Sequence, residues 1–507
     1  MKWWILGAVA LGLAVRLAVL AGPLGELDAD EAVVGLMARH IAFDGERPIF
    51  YYGQAYLGSL EAFSAAPLFL LFNSSPLLLK LVPVAYSLGF LVLSALVARR
   101  LFGDGPAVLT ALYLALPPAM WSVWSTKARG GYAEVLFLGE ALLLIALWLA
   151  SARRPIWGVL VGGVVAGLAL WTHLLAVVYI VPVLVFLLLR RRDWSLADGV
   201  VAAAGGLVGA APLLIANVAG GFATLSVVGG PSGLRAEPAG ELVRFLRVGL
   251  SMLAGIGRPV PPPTTAADLA LDVPTAGPLP LVVLLVMGLI GVLLWQTGSL
   301  RRLVARGPCS DAALLVLVAL MVPLVLILTP YGYLMAEPRY ALPLYSVVPL
   351  VANVVWRLPT LWRWGACTAV VALNVWNMFA TAAVVVRPAG VVDTTPANRQ
   401  VLIDYLQSHD RHQVYTDYWI AQTVMFESRE SVQAAVIADG PNRYLPSADN
   451  VAQTPNAVTV LERESETDRR FEARLAEVGA TATVSTVDAY HVYADVSPLD
   501  AVLDGFS

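Results

Sequence analysis

Three carboxylates lie within four residues at the start of the stretch DADEAVVGLMARHI, directly after the first hydrophobic segment. They are Asp28, Asp30 and Glu31. A carboxylate beside a reacting hydroxyl can accept its proton, so the cluster predicts a general base, with Asp30 as the first choice and Asp28 or Glu31 as the second. Two alternatives stay open: Asp28 or Asp30 could cap the helix that begins there, and the oxygens could hold a divalent cation.

Residues that could bind an anion or a substrate occur in other segments. Arg339 stands directly before the apolar run YALPLYSVVPLV, where a guanidinium can bind a phosphate with two hydrogen bonds or anchor the run at an interface. The other candidates are Lys127, Arg129, Tyr340, Glu134, His173, Arg258 and Arg16. For Lys127 and Arg129 the alternative is an interface anchor, and for His173 it is a structural role. Arg16 could instead pair with a neighbouring carbonyl.

The segments that carry these residues have the composition of a membrane protein. The 507 residues are 58% hydrophobic and 14% charged, with a mean hydropathy of +0.73, which excludes an ordinary soluble domain. Recurrent apolar runs predict an α-helical polytopic protein with about eleven spans of roughly 20 residues. The expected spans are 1–22, 77–98, 106–123, 132–150, 156–171, 174–189, 197–217, 279–296, 312–329, 340–356 and 365–386. The first is expected to be a retained helix, because Arg16 interrupts the apolar core that a cleaved signal peptide would need.

Charge divides the chain into two parts. Residues 388–507 contain 18 Asp and Glu against eight Arg and no Lys, which predicts an acidic soluble domain after a basic membrane domain at 1–387. Arg clusters such as Arg99 with Arg100 and Arg153 with Arg154 occupy alternating loops, which the positive-inside rule places in the cytoplasm. The first loop (28–75), the long loop (218–278) and the C-terminal domain then face outward. No nucleic-acid partner is expected, since these clusters are topology signals.

Local patterns predict the smaller elements. Apolar spacing in 32–41 and 56–72 predicts two helices lying in the membrane interface. In the tail, Thr395 and Pro396 predict the start of a helix. Further along, β-like runs and a charged helix predict a small α/β domain, with strands at 413–416, 432–437, 457–461, 481–487 and 490–494 and the helix at 464–478. With only Cys309 and Cys367 in the chain, neither a disulfide nor a cysteine metal site is expected.

These residues together give the chain a family resemblance. It resembles the GT-C glycosyltransferases, and within them the bacterial aminoarabinose transferase-like and protein O-mannosyltransferase-like group. The resemblance is carried by a first helix with an internal Arg16, the Asp30-Glu31 pair, RYALPLY at 339–345 and an outward soluble tail. The family implies an inverting transfer of a sugar from a polyprenyl phosphate at the outer face of the cytoplasmic membrane. Asp30 then falls on the catalytic Asp of the family, and Arg339 on a phosphate contact.

The sequence departs from the aminoarabinose transferases in the first loop. They place Lys-Pro-Pro after the interfacial helix, whereas Arg47 and Pro48 stand here in GERPIFYYGQ, which argues against aminoarabinose and lipid A as substrates. The tail stretch YTDYWIAQTVMFESRE, at 415–430, resembles tails of uncharacterised members of the group. The implied partners are a polyprenyl-phosphate sugar donor, membrane lipids, and an acceptor that is a lipid, a glycan or a protein.

A transporter or flippase without transfer chemistry is the main alternative function. Such a protein should place its ionisable groups at the bilayer midplane between repeats. In this sequence they gather at the expected outer ends of the spans, and no internal repeat is evident. A non-catalytic scaffold is a second alternative, but a scaffold role does not explain the three clustered carboxylates.

Overall fold

Helices form most of the chain up to residue 385, and a sheet covered by helices follows. The structure, a computed structural model, describes residues 2–151, 155–190, 194–224, 238–257, 310–329, 338–385 and 396–506. The helices of the first part are α1 (Lys2–Leu20), α2 (Ala29–Arg39), α3 (Leu60–Phe72), α4 (Pro76–Phe102), α5 (Asp104–Ala115), α6 (Ala119–Trp124), α7 (Tyr132–Leu149), α8 (Ile156–Thr172), α9 (Val177–Arg190), α10 (Leu196–Gly209), α11 (Ala211–Ala219), α12 (Pro238–Arg244), α13 (Leu250–Leu253), α14 (Ala313–Leu328), α15 (Val348–Trp356) and α16 (Thr360–Val385).

Several of these helices are long and apolar enough to cross a bilayer. Among the described residues these are α1, α4, α7 and α16, and a fifth span results if α10 and α11, bent by 68°, count as one. Four shorter apolar helices of 10–17 residues accompany them, including α3 and α8. The chain is therefore a multi-pass membrane protein, but the expected count of about eleven spans is not confirmed.

Proline accounts for two of the differences from the expected spans. The expected span at 106–123 is broken between α5 and α6 at Pro117 and Pro118, which lack the N–H that a continuous helix needs. The expected span at 340–356 starts as the 3₁₀ helix Arg339–Val347, with Pro343 inside it, before α15 begins. The expected span at 279–296 and Cys309 lie outside the described residues.

Helix α2 begins at the carboxylate cluster and is buried along most of its length. Asp28 caps it: the Asp28 side chain accepts a hydrogen bond from the Glu31 backbone N–H, and the Glu31 side chain accepts one from the Asp28 N–H. The segment 32–41 was expected to form a helix lying in the membrane interface. The α/β part of the chain covers the side of α2 that carries Gly35 and Arg39, so α2 is a buried helix.

The C-terminal part is a five-stranded sheet with helices, as predicted. Its strands are β1 (Gln413–Asp417), β2 (Gln433–Ala438), β3 (Val458–Glu462), β4 (Thr481–Val487) and β5 (Tyr490–Ser497), in the order β2-β1-β3-β5-β4. β1 runs parallel to β2 and β3, and β5 runs antiparallel to β3 and β4. The helices are α17 (Pro396–Ser408), α18 (Tyr418–Glu427), α19 (Leu445–Ala452), α20 (Glu466–Val478) and α21 (Leu499–Leu503). We call residues 396–506 the α/β region.

A single hydrophobic cluster joins the α/β region to the first loop. Leu36 of α2 and Phe69 of α3 belong to the same buried cluster as Ile420 and Phe426 of α18. The Phe69 and Phe426 rings lie 6.1 Å apart between centroids. Because buried apolar surface stabilises by about 25 cal/mol per Å², this shared core holds the α/β region against α2.

Candidate active site

Each of the three predicted carboxylates is paired with a cation. The pairs are Asp28 Oδ2 with Lys127 Nζ at 2.8 Å, Asp30 Oδ2 with Arg129 Nη2 at 2.8 Å, and the two Glu31 oxygens with Lys80 Nζ at 2.5 and 2.6 Å. Lys127 and Arg129 come from the loop before α7, and Lys80 comes from the first turns of α4. We call these six residues the ionic cluster.

Glu31 and Lys80 form the buried end of the ionic cluster. The Glu31 side chain is 0% exposed and that of Lys80 is 3% exposed, and Glu31 also accepts a hydrogen bond from the Ala128 N–H at 2.9 Å. Glu31 is therefore closed off from solvent in this structure, and its role as a second-choice base stays a prediction. Sequence reasoning missed Lys80, although a lysine inside an expected span is a functional candidate by default.

Asp28 has a structural task in addition to its ion pair. It caps α2, and Lys127 donates to its other oxygen. Burial would raise the pKa of Asp28, but Arg129 and Lys127 outweigh burial and hold that pKa well below its usual range. Lys127 and Arg129 are thus both paired with carboxylates, and their role in phosphate binding stays a prediction.

Asp30 is the most exposed of the three carboxylates, with 24% of its side chain accessible. Its Oδ2 accepts from Arg129 Nε at 2.9 Å, and its Oδ1 accepts from the Tyr418 hydroxyl at 2.6 Å. Its backbone carbonyl accepts from the Tyr51 hydroxyl at 3.2 Å. Each carboxylate oxygen has a second lone pair, so Asp30 is held from two directions and can still accept a proton.

The carboxylates of the ionic cluster are already paired within the protein. Lys80, Lys127 and Arg129 donate to Glu31, to Asp28 Oδ2 and to Asp30 Oδ2. A divalent cation held by these carboxylates stays a prediction. In the part of the chain that the structure describes, the group with three converging ligand atoms is Asp468, Glu472 and His491 in the α/β region. Donors from Tyr493, from His491 and from the Glu464 backbone already surround the Asp468 carboxylate there.

A second group of side chains lies where α7, α8 and the Arg339–Val347 helix meet. His173 follows the last residue of α8, Tyr132 begins α7, and Arg339 begins the 3₁₀ helix. The ring centroids of Tyr132 and His173 are 4.9 Å apart, and Tyr340 lies 6.1 Å from each. Arg339 lies over the Tyr340 ring at 5.6 Å. We call Tyr132, His173, Arg339 and Tyr340 the donor cluster.

His173 presents a neutral N–H in the donor cluster. Its Nδ1 accepts a hydrogen bond from the Leu175 N–H at 2.9 Å, which assigns the ring proton to Nε2. Nε2 is buried and has no hydrogen-bond partner. Burial, with a smaller effect of Arg339, lowers the pKa of His173 to about 3. The imidazole is therefore an uncharged donor throughout the physiological pH range.

Trp124 connects the two clusters. The guanidinium carbons of Arg129 and Arg339 each lie 5.7 Å from the centroid of its ring, so their separation cannot exceed twice that distance. Trp124 is itself only 1% exposed. Asp30, held by Arg129, and Arg339 therefore belong to one local site rather than to two distant ones.

Glu61 and Glu134 lie next to the loop that carries Arg129: Glu61 bonds its glycines, and Glu134 is in the first turn of α7, which follows it. Glu134 is fully buried, and neither carboxylate oxygen has a hydrogen-bond partner. Glu61 accepts from the Gly130 and Gly131 N–H groups at 2.9 and 3.1 Å. Burial, together with Glu134, raises the pKa of Glu61 well above its usual range. Gly130 and Gly131 have φ values of +86° and +82°, so Glu61 stabilises a turn that only glycine adopts easily.

Two further candidates lie elsewhere. Arg16 is fully buried, where its Nε donates to Ser87 Oγ at 2.7 Å and its Nη1 to the Gly12 carbonyl at 3.0 Å. The structure thus brings Arg16 to its own helix and to α4 rather than to either cluster. Arg258 lies outside the described residues.

Comparison with known proteins finds similarity in structure alone. No protein-family model matches the sequence, and no curated protein matches it. ArnT from Cupriavidus metallidurans in the apo state is 15% identical with a TM-score of 0.62, over 98% of this chain and 98% of that one. The same protein bound to undecaprenyl phosphate has a TM-score of 0.59, with 15% identity over 98% and 99%. The oligosaccharyltransferase of Archaeoglobus fulgidus, in complex with Zn and sulfate, is 14% identical with a TM-score of 0.53, over 97% and 73%.

Proposed function

The chain has the fold of the GT-C membrane glycosyltransferases, and from that premise we propose that it is an inverting glycosyltransferase. Its donor is a sugar linked to a polyprenyl phosphate, its acceptor is a lipid, a glycan or a protein, and Asp30 is its general base. One observation carries this proposal: Asp30, through Arg129, and Arg339 meet around the same tryptophan, Trp124. A displacement at the anomeric carbon needs a base for the acceptor and a cation for the departing phosphate within one site.

The donor cluster has the chemistry that a lipid phosphate requires. Arg339 supplies charge, Tyr340 a hydroxyl, and His173 a buried N–H without a protein partner. Charged and neutral donors that converge in a buried site bind an anion strongly. The neighbour ArnT, which was solved with undecaprenyl phosphate, supports a polyprenyl phosphate as the ligand here.

The proposed reaction is a single displacement at the anomeric carbon. The acceptor oxygen or nitrogen attacks from the side opposite the phosphate, and Asp30 accepts its proton. The bond between the anomeric carbon and the phosphate oxygen breaks, and its electron pair stays on that oxygen. The departing phosphate is a stable anion, so the donor cluster stabilises it without giving it a proton. Attack from the opposite face inverts the configuration of the sugar.

The two clusters lie at the same end of the membrane helices. Lys80 is in the first turns of α4, whereas Arg99 and Arg100 are in its last turn, about 28 Å further along at 1.5 Å per residue. Arg190 likewise ends α9, which starts close to His173. By the positive-inside rule these arginines face the cytoplasm. We therefore assign 1–387 as a catalytic membrane domain whose site faces outward at the cytoplasmic membrane, and 388–507 as an extracytoplasmic α/β domain.

The test uses labelled donor lipids and membrane vesicles from cells that make the protein. Undecaprenyl phosphate carrying a radiolabelled hexose is supplied in one reaction and a pentose in another, and chromatography follows consumption of the donor lipid. We expect wild type to consume at least one donor. Asp30→Asn should lower that rate by about 10²- to 10⁴-fold, the usual contribution of a general base. Asp44→Asn, an exposed carboxylate of the same loop, is the matched control and should keep the rate.

Each other outcome contradicts a defined part of the proposal. If wild type consumes neither donor, the donor class is wrong. Equal rates in wild type and Asp30→Asn would remove Asp30 as the base. If the labelled lipid changes leaflet and is not consumed, the protein is a transporter of such lipids.

A further inference from the structure

The α/β region reaches the proposed active site through α18. Tyr418, the first residue of α18, donates its hydroxyl proton to Asp30 Oδ1 at 2.6 Å. The two residues are 388 positions apart in the sequence. The Tyr418 side chain is 4% exposed. A residue of the soluble part of the chain therefore contacts the carboxylate that we assign as the base.

Tyr418 is held in place by the α/β region itself. Arg443 Nε donates to the Tyr418 hydroxyl oxygen at 3.3 Å, and the Arg443 guanidinium lies 5.6 Å from the centre of the Tyr418 ring. Gly440 lies against the ring so closely that a Cβ there would come within 2.8 Å of it. Asp417 caps α18 by accepting from the Trp419 and Ile420 N–H groups. The hydroxyl therefore has one well-defined position.

The hydroxyl is also kept protonated. Burial, together with the charge of Asp30, raises the pKa of Tyr418 to about 12. The phenol thus acts as a donor at any pH at which the protein works. It cannot compete with Asp30 for the acceptor's proton.

Contacts along the whole of α2 fix the α/β region against it. Beyond Tyr418 at the start of the helix, Phe426 packs on Gly35 at its middle. At its end, Arg39 Nε pairs with Glu430 at 3.1 Å and His40 Nε2 lies 2.8 Å from the same carboxylate. The hydrogen bond from Tyr418 to Asp30 is therefore positioned both by α2 and by the α/β region.

The sheet topology places the same residues at a position often used for ligands. Tyr418 follows the carboxyl end of β1, and Arg443 lies in the segment after the carboxyl end of β2. β1 lies between β2 and β3, so the strand order reverses direction at β1. Active sites of α/β sheets commonly lie beyond the carboxyl ends of the strands at such a reversal.

We infer that the α/β region completes the active site and that Tyr418, supported by Arg443, is a positioning residue for Asp30. The inference rests on the proposed function, since it concerns the same base. The Tyr418 hydroxyl orients the Asp30 carboxylate toward the acceptor, on the side opposite Arg129. Removal of the hydroxyl should therefore slow the transfer step and leave donor binding, which involves the donor cluster, unchanged.

The chain offers a matched control for this inference. The hydroxyl of Tyr444 donates to Glu46 Oε1 at 3.0 Å, across the same contact between the α/β region and the first loop. Tyr444→Phe and Tyr418→Phe each delete one hydroxyl-to-carboxylate hydrogen bond between the same two parts. Of the two variants, only Tyr418→Phe removes a hydrogen bond to Asp30. A loss of docking alone would affect both variants alike.

The experiment measures kcat and the KM for the donor lipid in the vesicle assay, well below the melting temperature of each variant. We expect Tyr418→Phe to lower kcat about ten- to a hundredfold, as for the loss of a hydrogen bond to a charged group, with an unchanged KM. Tyr444→Phe should keep the wild-type kcat. Arg443→Gln keeps the Tyr418 hydroxyl and removes its support, and its kcat should fall between the two.

The contrary outcomes separate this inference from the proposed function. If wild type consumes no donor lipid, the proposed function fails, and this inference fails with it. If wild type is active and Tyr418→Phe matches Tyr444→Phe, the proposed function stands and the role of Tyr418 is wrong. A change in KM without a change in kcat would also overturn it. An unchanged kcat in Arg443→Gln would overturn the part assigned to Arg443.

Discussion

The ionic cluster and the donor cluster both contact Trp124, but they differ in how their charges are balanced. In the ionic cluster three carboxylates face three cations at 2.5 to 2.9 Å, so its charges balance within the protein. The donor cluster combines the cation Arg339 with two phenols and a neutral imidazole. Its Nε2–H at His173 lies buried without a partner. The first arrangement fixes the position of Asp30, which we propose as the base. The second offers hydrogen-bond donors to the phosphate of the proposed donor lipid.

This difference explains why neighbouring charges need not share a role. Lys127 and Arg129 are paired with carboxylates, whereas the guanidinium of Arg339 lies against the rings of Trp124 and Tyr340. Charge and neighbouring hydrogen-bond donors together favour a bound phosphate. Changes in the ionic cluster should therefore affect stability and rate, whereas changes in the donor cluster should affect affinity for the lipid phosphate.

The largest expected effect tests whether the ionic cluster is balanced internally. Lys80→Met should destabilise the protein by about 3 to 5 kcal/mol, because it leaves Glu31 buried without its nearest cation. Unfolding in detergent measures this loss. Lys127→Met should cost less, since its partner Asp28 is 17% exposed and also lies near Arg129. The double variant Glu31→Gln/Lys80→Met should recover part of the loss. Equal losses of stability in Lys80→Met and Lys127→Met would contradict the inference that the burial of the partner carboxylate sets the loss.

The next effect tests the neutral imidazole of the donor cluster through pH. Because the folded pKa of His173 is about 3 and the unfolded value is about 6.5, the unfolded chain binds the extra proton between these pH values. Stability should thus fall as pH drops through that window, by about 2 kcal/mol at pH 5. His173→Gln should show a smaller drop in melting temperature between pH 7.5 and pH 5 than wild type. A drop in melting temperature for His173→Gln as large as that of wild type would contradict the neutral, buried imidazole at His173.

The smallest effect separates binding from catalysis. Arg339→Gln should weaken binding of undecaprenyl phosphate about tenfold, a loss of roughly 1.4 kcal/mol, because the charged contact to the phosphate is gone. Asp30→Asn should bind it as wild type does. Titration of the purified protein with undecaprenyl phosphate, followed by tryptophan fluorescence, measures both. Comparable weakening in the two variants would mean that the clusters are not functionally distinct.

Local features were predicted well from the sequence. The five strands begin and end close to the predicted positions, because alternation and turn residues act over a few neighbours. Helix α18 was missed, since it is buried on nearly every side and shows no amphipathic period. The GT-C resemblance, based on Asp30-Glu31 and the run after Arg339, is confirmed as a fold. The roles of those residues stay predictions.

The sequence by itself determined that this is a helical membrane protein with an acidic α/β tail and a carboxylate cluster after its first helix. Composition and short-range periodicity are enough for that, because hydrophobic burial in a bilayer sums over local residues. Only the tertiary structure decided which carboxylate is a cap, which is buried and which is accessible. The partners that decide it, Lys80, Arg129 and Tyr418, lie 49, 99 and 388 positions away from the residues they contact. The environment of a charge depends on distance in space, which no local pattern encodes.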